Sequence, residues 1–382
     1  MRFMRQTRLV SPASILLLIA SLSATPASAH DWWRLQKSGT DASLRGVSVA
    51  PISYTRGQTP FPDPVVWASG SKGTILRSMD AGETWQSVSP PDTNDLDFRG
   101  IVAFDEKTAY AMASGEGDKS RIYKTSDGGK TWKLQLTGDR KEFFLDSIAC
   151  VSETHCIALG DPIDGKFTLL RTEDGEHWSS LPRQQIPDAL PGEGSFAASN
   201  SCLLLKPGNP GFVLTNPGTT NETEFFFVTG GAKTEGKGAR VFHTSNSGKS
   251  WDITEPPIAQ GNASSGIFAI ASDANGTIFV VGGDYKSPDQ TKQITAYSAD
   301  GGKTWIAATI GPSGFRSAVA AITTDQWIAI GPNGTDVSND GGKHWHLADQ
   351  LPLNALALRH NSGWAVGPNG AIARLLPELE LM

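Results

Sequence analysis

Three arginines stand in matching positions, each directly before a short apolar run: Arg45 in Leu44-Arg45-Gly46, Arg99 in Phe98-Arg99-Gly100 and Arg316 in Phe315-Arg316-Ser317. A guanidinium presents a rigid fork of donors that matches a carboxylate or phosphate. Three of them brought together would form an anion site or a docking point for a partner. The alternative is that each one bridges to a neighbouring carboxylate, such as Asp97 or Asp146, or stays solvated.

Other side chains with chemical potential are more scattered. Asp161 and Asp164 lie close together beside Gly and Pro, where aspartates usually serve as turn formers and only secondarily as a carboxylate pair. None of the seven histidines shows metal-ligand spacing with Cys or carboxylates, so no metal site is expected. The glycines recur at turn positions and not in a phosphate-cradling loop before a helix, and no cofactor is expected. Cys150 and Cys156 can pair across a short hairpin and leave Cys202 over; three buried free thiols are the alternative.

The frame that must hold these residues is written as a repeat. Ser298-Ala299-Asp300-Gly301-Gly302-Lys303-Thr304-Trp305 recurs as Ser78 to Trp85 around Asp80, as Thr125 to Trp132 around Asp127, and as Ser338 to Trp345 around Asp340. Two further copies are imperfect: Thr244 to Trp251 carries Asn246 in place of the aspartate, and Thr172 to Trp178 keeps Asp174 but is one residue short. In such a turn the Asp or Asn side chain accepts from backbone N–H groups just ahead, Gly supplies positive φ, and the tryptophan opens the next strand with a large apolar side chain to bury.

This unit resembles the Asp-box, or BNR repeat, of sialidases and other β-propellers. The resemblance implies a structural turn between the third and fourth strands of each blade, on the face away from the ligand site. A sialidase would further need an Arg-Ile-Pro opening and a tyrosine activated by a glutamate. No Arg-Ile-Pro is present, and Tyr110, Tyr285 and Tyr297 have no evident glutamate partner in sequence.

Arg2, Arg5 and Arg8, the apolar run around Ile15 to Ile19, and Ala27-Ser28-Ala29 read together as a secretory signal peptide over residues 1–29, with cleavage after Ala29. The expected product, residues 30–382, is a single domain that is periplasmic or secreted. No later run approaches the roughly 20 apolar residues of a membrane helix. Removing the three leader arginines from 33 basic residues leaves 30 against 39 acidic ones, a net charge of −9. An acidic chain without a basic run excludes nucleic acid as a partner.

Box tryptophans count six blades: Trp85, Trp132, Trp178, Trp251, Trp305 and Trp345. The chain from Asn354 to Leu375 supplies strands without a box, while Trp33-Arg34-Leu35-Gln36 reads like the strand Trp132-Lys133-Leu134-Gln135. The N-terminal strand around Trp33 therefore completes a seventh blade and closes the ring. The expectation is an all-β, seven-bladed propeller of four-stranded antiparallel blades. The box aspartates (or Asn246) are spaced by 47, 47, 72, 54 and 40 residues. The long interval contains two insertions, 183–194 and 206–223, both expected as surface loops.

The whole unit resembles the photosystem II stability and assembly factors of the Ycf48/HCF136 type, most closely in Arg99-Gly100-Ile101, Ile122 to Trp132 and Ser338 to Trp345. That resemblance implies a non-enzymatic propeller whose arginine-bearing surface docks a protein partner, and hence an exported, monomeric assembly or stability scaffold. The alternative is a sialidase-like hydrolase or carbohydrate-binding propeller that holds an anionic or glycan ligand through the arginines.

Overall fold

The computed structural model describes residues 32–51, 63–206, 222–232, 238–359 and 362–376. The leader expected over 1–29 and most of the second insertion, 207–221, lie outside the described residues. Among the described residues, twenty-eight short strands form seven four-stranded antiparallel sheets. The innermost strands of blades I to VII are Leu44–Val49, Phe98–Ala103, Leu145–Ser152, Leu203–Lys206, Ser265–Ser272, Ala318–Ala321 and Ala355–Arg359. Each touches the next in order, and the seventh touches the first, so the sheets stand as a closed ring. In blade VII the outermost strand is Trp33–Gln36, which pairs antiparallel with Ile372–Leu375 and closes the ring from the N-terminal end. Among the described residues, no helix is long and apolar enough to cross a membrane.

The repeated turn explains the regularity. In the copy at Ser298, that residue's Oγ accepts from Gly302 N at 2.8 Å and donates to Asp300 Oδ1 at 2.8 Å. Asp300 Oδ1 accepts from Thr304 N at 2.9 Å, and Thr304 Oγ1 donates to Asp300 Oδ2 at 2.6 Å. Gly301 and Gly302 have φ of 77° and 87°, which side chains with a Cβ rarely adopt. These hydrogen bonds hold the Asp300 carboxyl well below the usual carboxylate range.

Both imperfect copies make the same turn. Asn246 Oδ1 accepts from Ser250 N while its amide nitrogen donates to Ser250 Oγ, so the side-chain bond survives with its polarity reversed. In the shortened copy, Asp174 Oδ1 accepts from the N–H groups of Glu176 and His177, and the imidazole of His177 replaces the threonine hydroxyl at 2.7 Å.

The tryptophans lock adjacent blades together. The indole N–H of Trp132 donates to Val88 O of blade I, that of Trp178 to Gln135 of blade II, that of Trp305 to Thr254 of blade IV, and that of Trp33 to Thr335 of blade VI. Burial is less uniform than the repeat suggests. Trp33 and Trp345 are buried, whereas the other five keep one edge in solvent. The largest fully buried side chains are instead Trp67, Trp327 and Trp364, on second strands between blades.

Alternating strand direction splits the molecule into two faces. Turns joining third to fourth strands, which hold the boxes, share a face with turns joining first to second: Gly128 N donates to Lys107 O, and Gly341 N to Asp325 O. The opposite face receives the starts of the innermost strands and the ends of the second strands. The first insertion does not simply lie on that surface. Its continuation, 194–201, crosses the mouth of the central channel: Ala197 O accepts from Arg99 of blade II, Asn200 bonds Ile148 of blade III, Phe196 stacks on Phe268 of blade V at 3.8 Å, and Ser199 Oγ donates to Ser317 O beside blade VI.

Candidate functional site

Arg45 and Arg99 occupy equivalent places in blades I and II, each at a β-bulge where the register jumps between Leu44 and Gly46 or between Phe98 and Gly100. A bulge re-aims one side chain out of the pleat. Both guanidiniums converge on a single carboxylate: Arg99 Nε donates to Asp97 Oδ2 at 2.8 Å, and Arg45 Nε lies 3.4 Å from the same oxygen without a hydrogen bond. About 30% of each side chain remains exposed (31% and 27%), enough to reach a ligand. Burial, and then the like charge of Arg99, pull the Arg45 pKa down, which marks a crowded cationic lobe with two guanidiniums to one carboxylate.

Arg316 does not join them. It lies two residues before its innermost strand rather than in a bulge within it, and it is fully buried. Its Nε donates to Asp336 Oδ2 at 2.7 Å, Nη1 to Phe315 O at 2.8 Å and to Asn333, and Nη2 to Ser313 Oγ at 2.9 Å and to Asp336. Asp336 is equally buried on the third strand of blade VI, and it also accepts from Ser313 N. The pair is thus an internal brace of blade VI, with no donor left for a ligand.

The third bulged position is occupied by an acid. Asp146 lies where the blade III register jumps between Leu145 and Ser147, so the bulges of blades I to III read Arg45, Arg99, Asp146, and Phe268 takes the corresponding bulge of blade V. It is 1% exposed, and neither carboxyl oxygen has a hydrogen-bond partner among the described residues. Burial, reinforced by the charge of Asp161, pushes its pKa well above the usual range, with Arg99 pulling weakly the other way. Asp161, at the end of the second strand of the same blade, accepts from Ser195 N at 3.2 Å, and burial raises it to about 6. It is therefore not the exposed turn former its Gly-Asp-Pro context suggests. Asp164 is one, with φ of 52°.

Arg99, Asp146 and Asp161 face a cavity of about 500 Å³ at the channel mouth. Its other walls come from Phe144, the crossing segment around Gly194 and Phe196, and Gly230. Gly194 and Gly230 exchange two backbone hydrogen bonds of 3.0 Å each, which fixes one wall. A Cβ on Gly194 would lie 2.4 Å from Asp161 Oδ1, so glycine is what lets the carboxyl stay there. The root of the crossing segment is held by Glu193, whose carboxylate accepts from Arg240, from Thr229 Oγ1 at 2.6 Å and from Leu190 N at 2.7 Å in a buried cluster.

Elsewhere, Cys150 and Cys156 form a disulfide between the first two strands of blade III, and Cys202 is free and buried. Tyr110 is spent on structure: its single hydroxyl proton is shared between the carbonyls of Glu153 and Gly175, at 2.8 and 2.9 Å, on the box-bearing side. Among the described residues no group of three or more His, Cys, Asp or Glu is placed to hold a metal ion.

Sequence reasoning missed Asp146 as a cavity residue, having taken it only as a partner for arginine. The missing signal was its offset: it stands directly after Leu145 as Arg45 follows Leu44 and Arg99 follows Phe98. The crossing segment had no comparable signal.

This is a seven-bladed β-propeller with a charged cavity at one mouth of its channel. No family model matches the sequence, and no curated protein does either. Solved structures match in fold: one titled "YCF48 bound to D1 peptide" has a TM-score of 0.59 at 14% identity, covering 92% of this chain and 99% of that one. YCF48 from Cyanidioschyzon merolae has a TM-score of 0.59 at 15% identity, covering 91% of this chain and 99% of its own. Virginiamycin B lyase from Staphylococcus aureus has a TM-score of 0.58 at 13% identity, with 90% and 99% covered. At such identities the likeness is one of fold, and one fold here hosts both a peptide-bound protein and a lyase. Function must be argued from the site.

Proposed function

We propose that this chain is an exported, monomeric, non-catalytic propeller that docks an extended segment of a protein partner at the channel mouth, in the manner of an assembly or stability scaffold. The observation that carries the reading is the pair Arg45 and Arg99 sharing Asp97, a lobe with guanidinium to spare for a carboxylate of the partner. The peptide bound to YCF48 gives the reading a structural precedent. The Cys150–Cys156 disulfide supports an oxidising compartment, as the signal peptide over residues 1–29 does.

A second reading, a glycan-binding or sialidase-like propeller, is favoured by Phe196 in the wall of the cavity that holds the two carboxyls, backed by Phe268 and Tyr285. Against it, none of the described tyrosines forms a pair with a glutamate next to Arg45 and Arg99. The deciding experiment is crosslinking capture with the protein lacking residues 1–29, comparing it with Arg45→Gln/Arg99→Gln. The scaffold reading expects one partner held by the parent and lost from the variant when both are compared per folded molecule. Turnover of a sialoside or other glycoside that disappears in Arg99→Ala would overturn it.

A further inference from the structure

The arginine lobe accounts for only half of the mouth. Asp146 sits in the cavity wall with both carboxyl oxygens buried and, among the described residues, unpartnered, and Asp161 shares that cavity. Leaving a buried polar group unsatisfied is costly, and two carboxyls in one cavity cannot both ionise cheaply unless a cation enters. Among the described residues no cation forms an ion pair or hydrogen bond with either carboxyl: Arg99, which faces the same cavity, spends its Nε on Asp97 and one Nη1 N–H on Ala197 O and turns its remaining donors to neither acid, and the nearby Arg240 is committed to Glu193.

We propose that the acidic half of the mouth receives a basic side chain, a protonated amine or guanidinium, carried by the same peptide segment whose carboxylate the Arg45 and Arg99 lobe holds. The inference rests on the peptide-docking reading and adds the charge pattern of the peptide: one acidic and one basic residue within a few positions of each other. Three features fit this guest. The cavity, at about 500 Å³, falls in the range of roughly 300 to 1,000 Å³ in which ligand pockets occur. Phe196, stacked on Phe268, gives a flat apolar wall for the aliphatic stem of a lysine or arginine. Glu142 and Glu193 also border the cavity, but among the described residues no three acidic, His or Cys side chains are placed to hold a metal ion together, which suits an organic cation better than a bare metal ion.

The test is fluorescence polarisation with labelled, amidated Gly/Ser octapeptides carrying one Asp and one Lys or Arg, separated by one to four residues. Controls replace the basic residue by norleucine or the Asp by Asn. For the best spacing, the parent protein should bind the basic peptide at least tenfold more tightly than its norleucine form. Asp146→Asn and Asp161→Asn, both near-isosteric, should each erase that advantage while leaving the Asp-dependent part, which Arg99→Gln removes. Equal binding of basic and norleucine peptides would overturn the inference and leave the docking reading standing. An advantage that survives in the Asp146→Asn/Asp161→Asn protein would overturn it as well. Binding indifferent to the peptide's Asp and to Arg99→Gln would sink the docking reading itself, and absence of binding by every peptide would overturn both.

Discussion

Asp161 links the site to stability in a way that can be measured without a ligand. Its carboxyl titrates near 6 in the folded chain because burial disfavours the charge, with only the Ser195 N–H favouring it. An unfolded aspartate titrates near 3.8. Between those values the native state binds the proton more tightly than the unfolded one, so the stability contributed at low pH is lost as pH rises from about 4 to above 6. The full loss is about 3 kcal/mol, of which about 1 has gone by pH 4.5 and the rest by pH 7.5.

Asparagine keeps the oxygen that accepts from Ser195 and does not titrate. Asp161→Asn should therefore gain on the parent by about 2 kcal/mol more at pH 7.5 than at pH 4.5, or about 3 °C in melting temperature for a chain of this length. Arg99, Glu142 and Glu193 remain in both proteins and largely cancel in the difference, while Asp146, freed of the Asp161 charge that raises it, adds to the gain at pH 7.5 in the same direction. Calorimetry at the two pH values reads the effect. A difference that stays constant within 0.5 kcal/mol, or that favours the parent at pH 7.5, would refute the assignment of Asp161 as a desolvated acid.

The remaining predictions concern the frame. Trp345→Ala should cost about 3 to 5 kcal/mol because its ring is buried against Phe279, and Trp132→Ala about 1 to 2 kcal/mol less because one edge of that ring is solvated; denaturant melts that rank them in the reverse order would contradict this. Arg316→Met strands the buried Asp336 and should cost about 3 to 5 kcal/mol with partner capture per folded molecule unchanged, and pairing it with Asp336→Leu should recover most of the loss. Glu193→Gln should accelerate amide exchange across 194–201 far more than in the innermost strand of blade I; equal acceleration in both would show that the crossing segment is not separately anchored.

The fold was legible because its turn is self-contained. Ser298, Asp300, Gly302 and Thr304 satisfy one another within seven residues, so every copy carries its own instructions and can be counted without knowing its neighbours. Trp33 could be assigned to the seventh blade on other grounds: its strand reads like Trp132 to Gln135, and the boxless stretch from Asn354 to Leu375 needed one more strand. The site was legible only where its geometry is local. Arg45 and Arg99 sit in bulges that follow from their position in the strand, whereas Arg316 shares their sequence context without the bulge, and its fate was decided by Asp336, 20 residues on. The crossing segment was unreadable for a stronger reason: the bond from Ser199 to Ser317 spans 118 residues and has no echo in the repeat.

That crossing segment changes what the channel can be. An open bore would make the bulged residues of opposite blades address one central ligand, which is what three converging arginines would require. With 194–201 tied to blades II, III and V and to Ser317 beside blade VI, the segment lies across this mouth, and the bulged residues of blades II and III line one cavity with it. The cavity is bipolar because neighbouring blades placed opposite charges at the same bulge, Arg99 in one and Asp146 in the next. It is also largely preformed, since Glu193 at one end of the segment and Asn200 at the other are each held by several hydrogen bonds. A guest would then spend little of its interaction energy on ordering the protein. Selectivity for a short segment bearing both charges follows from the spacing of two adjacent blades rather than from the radius of the ring.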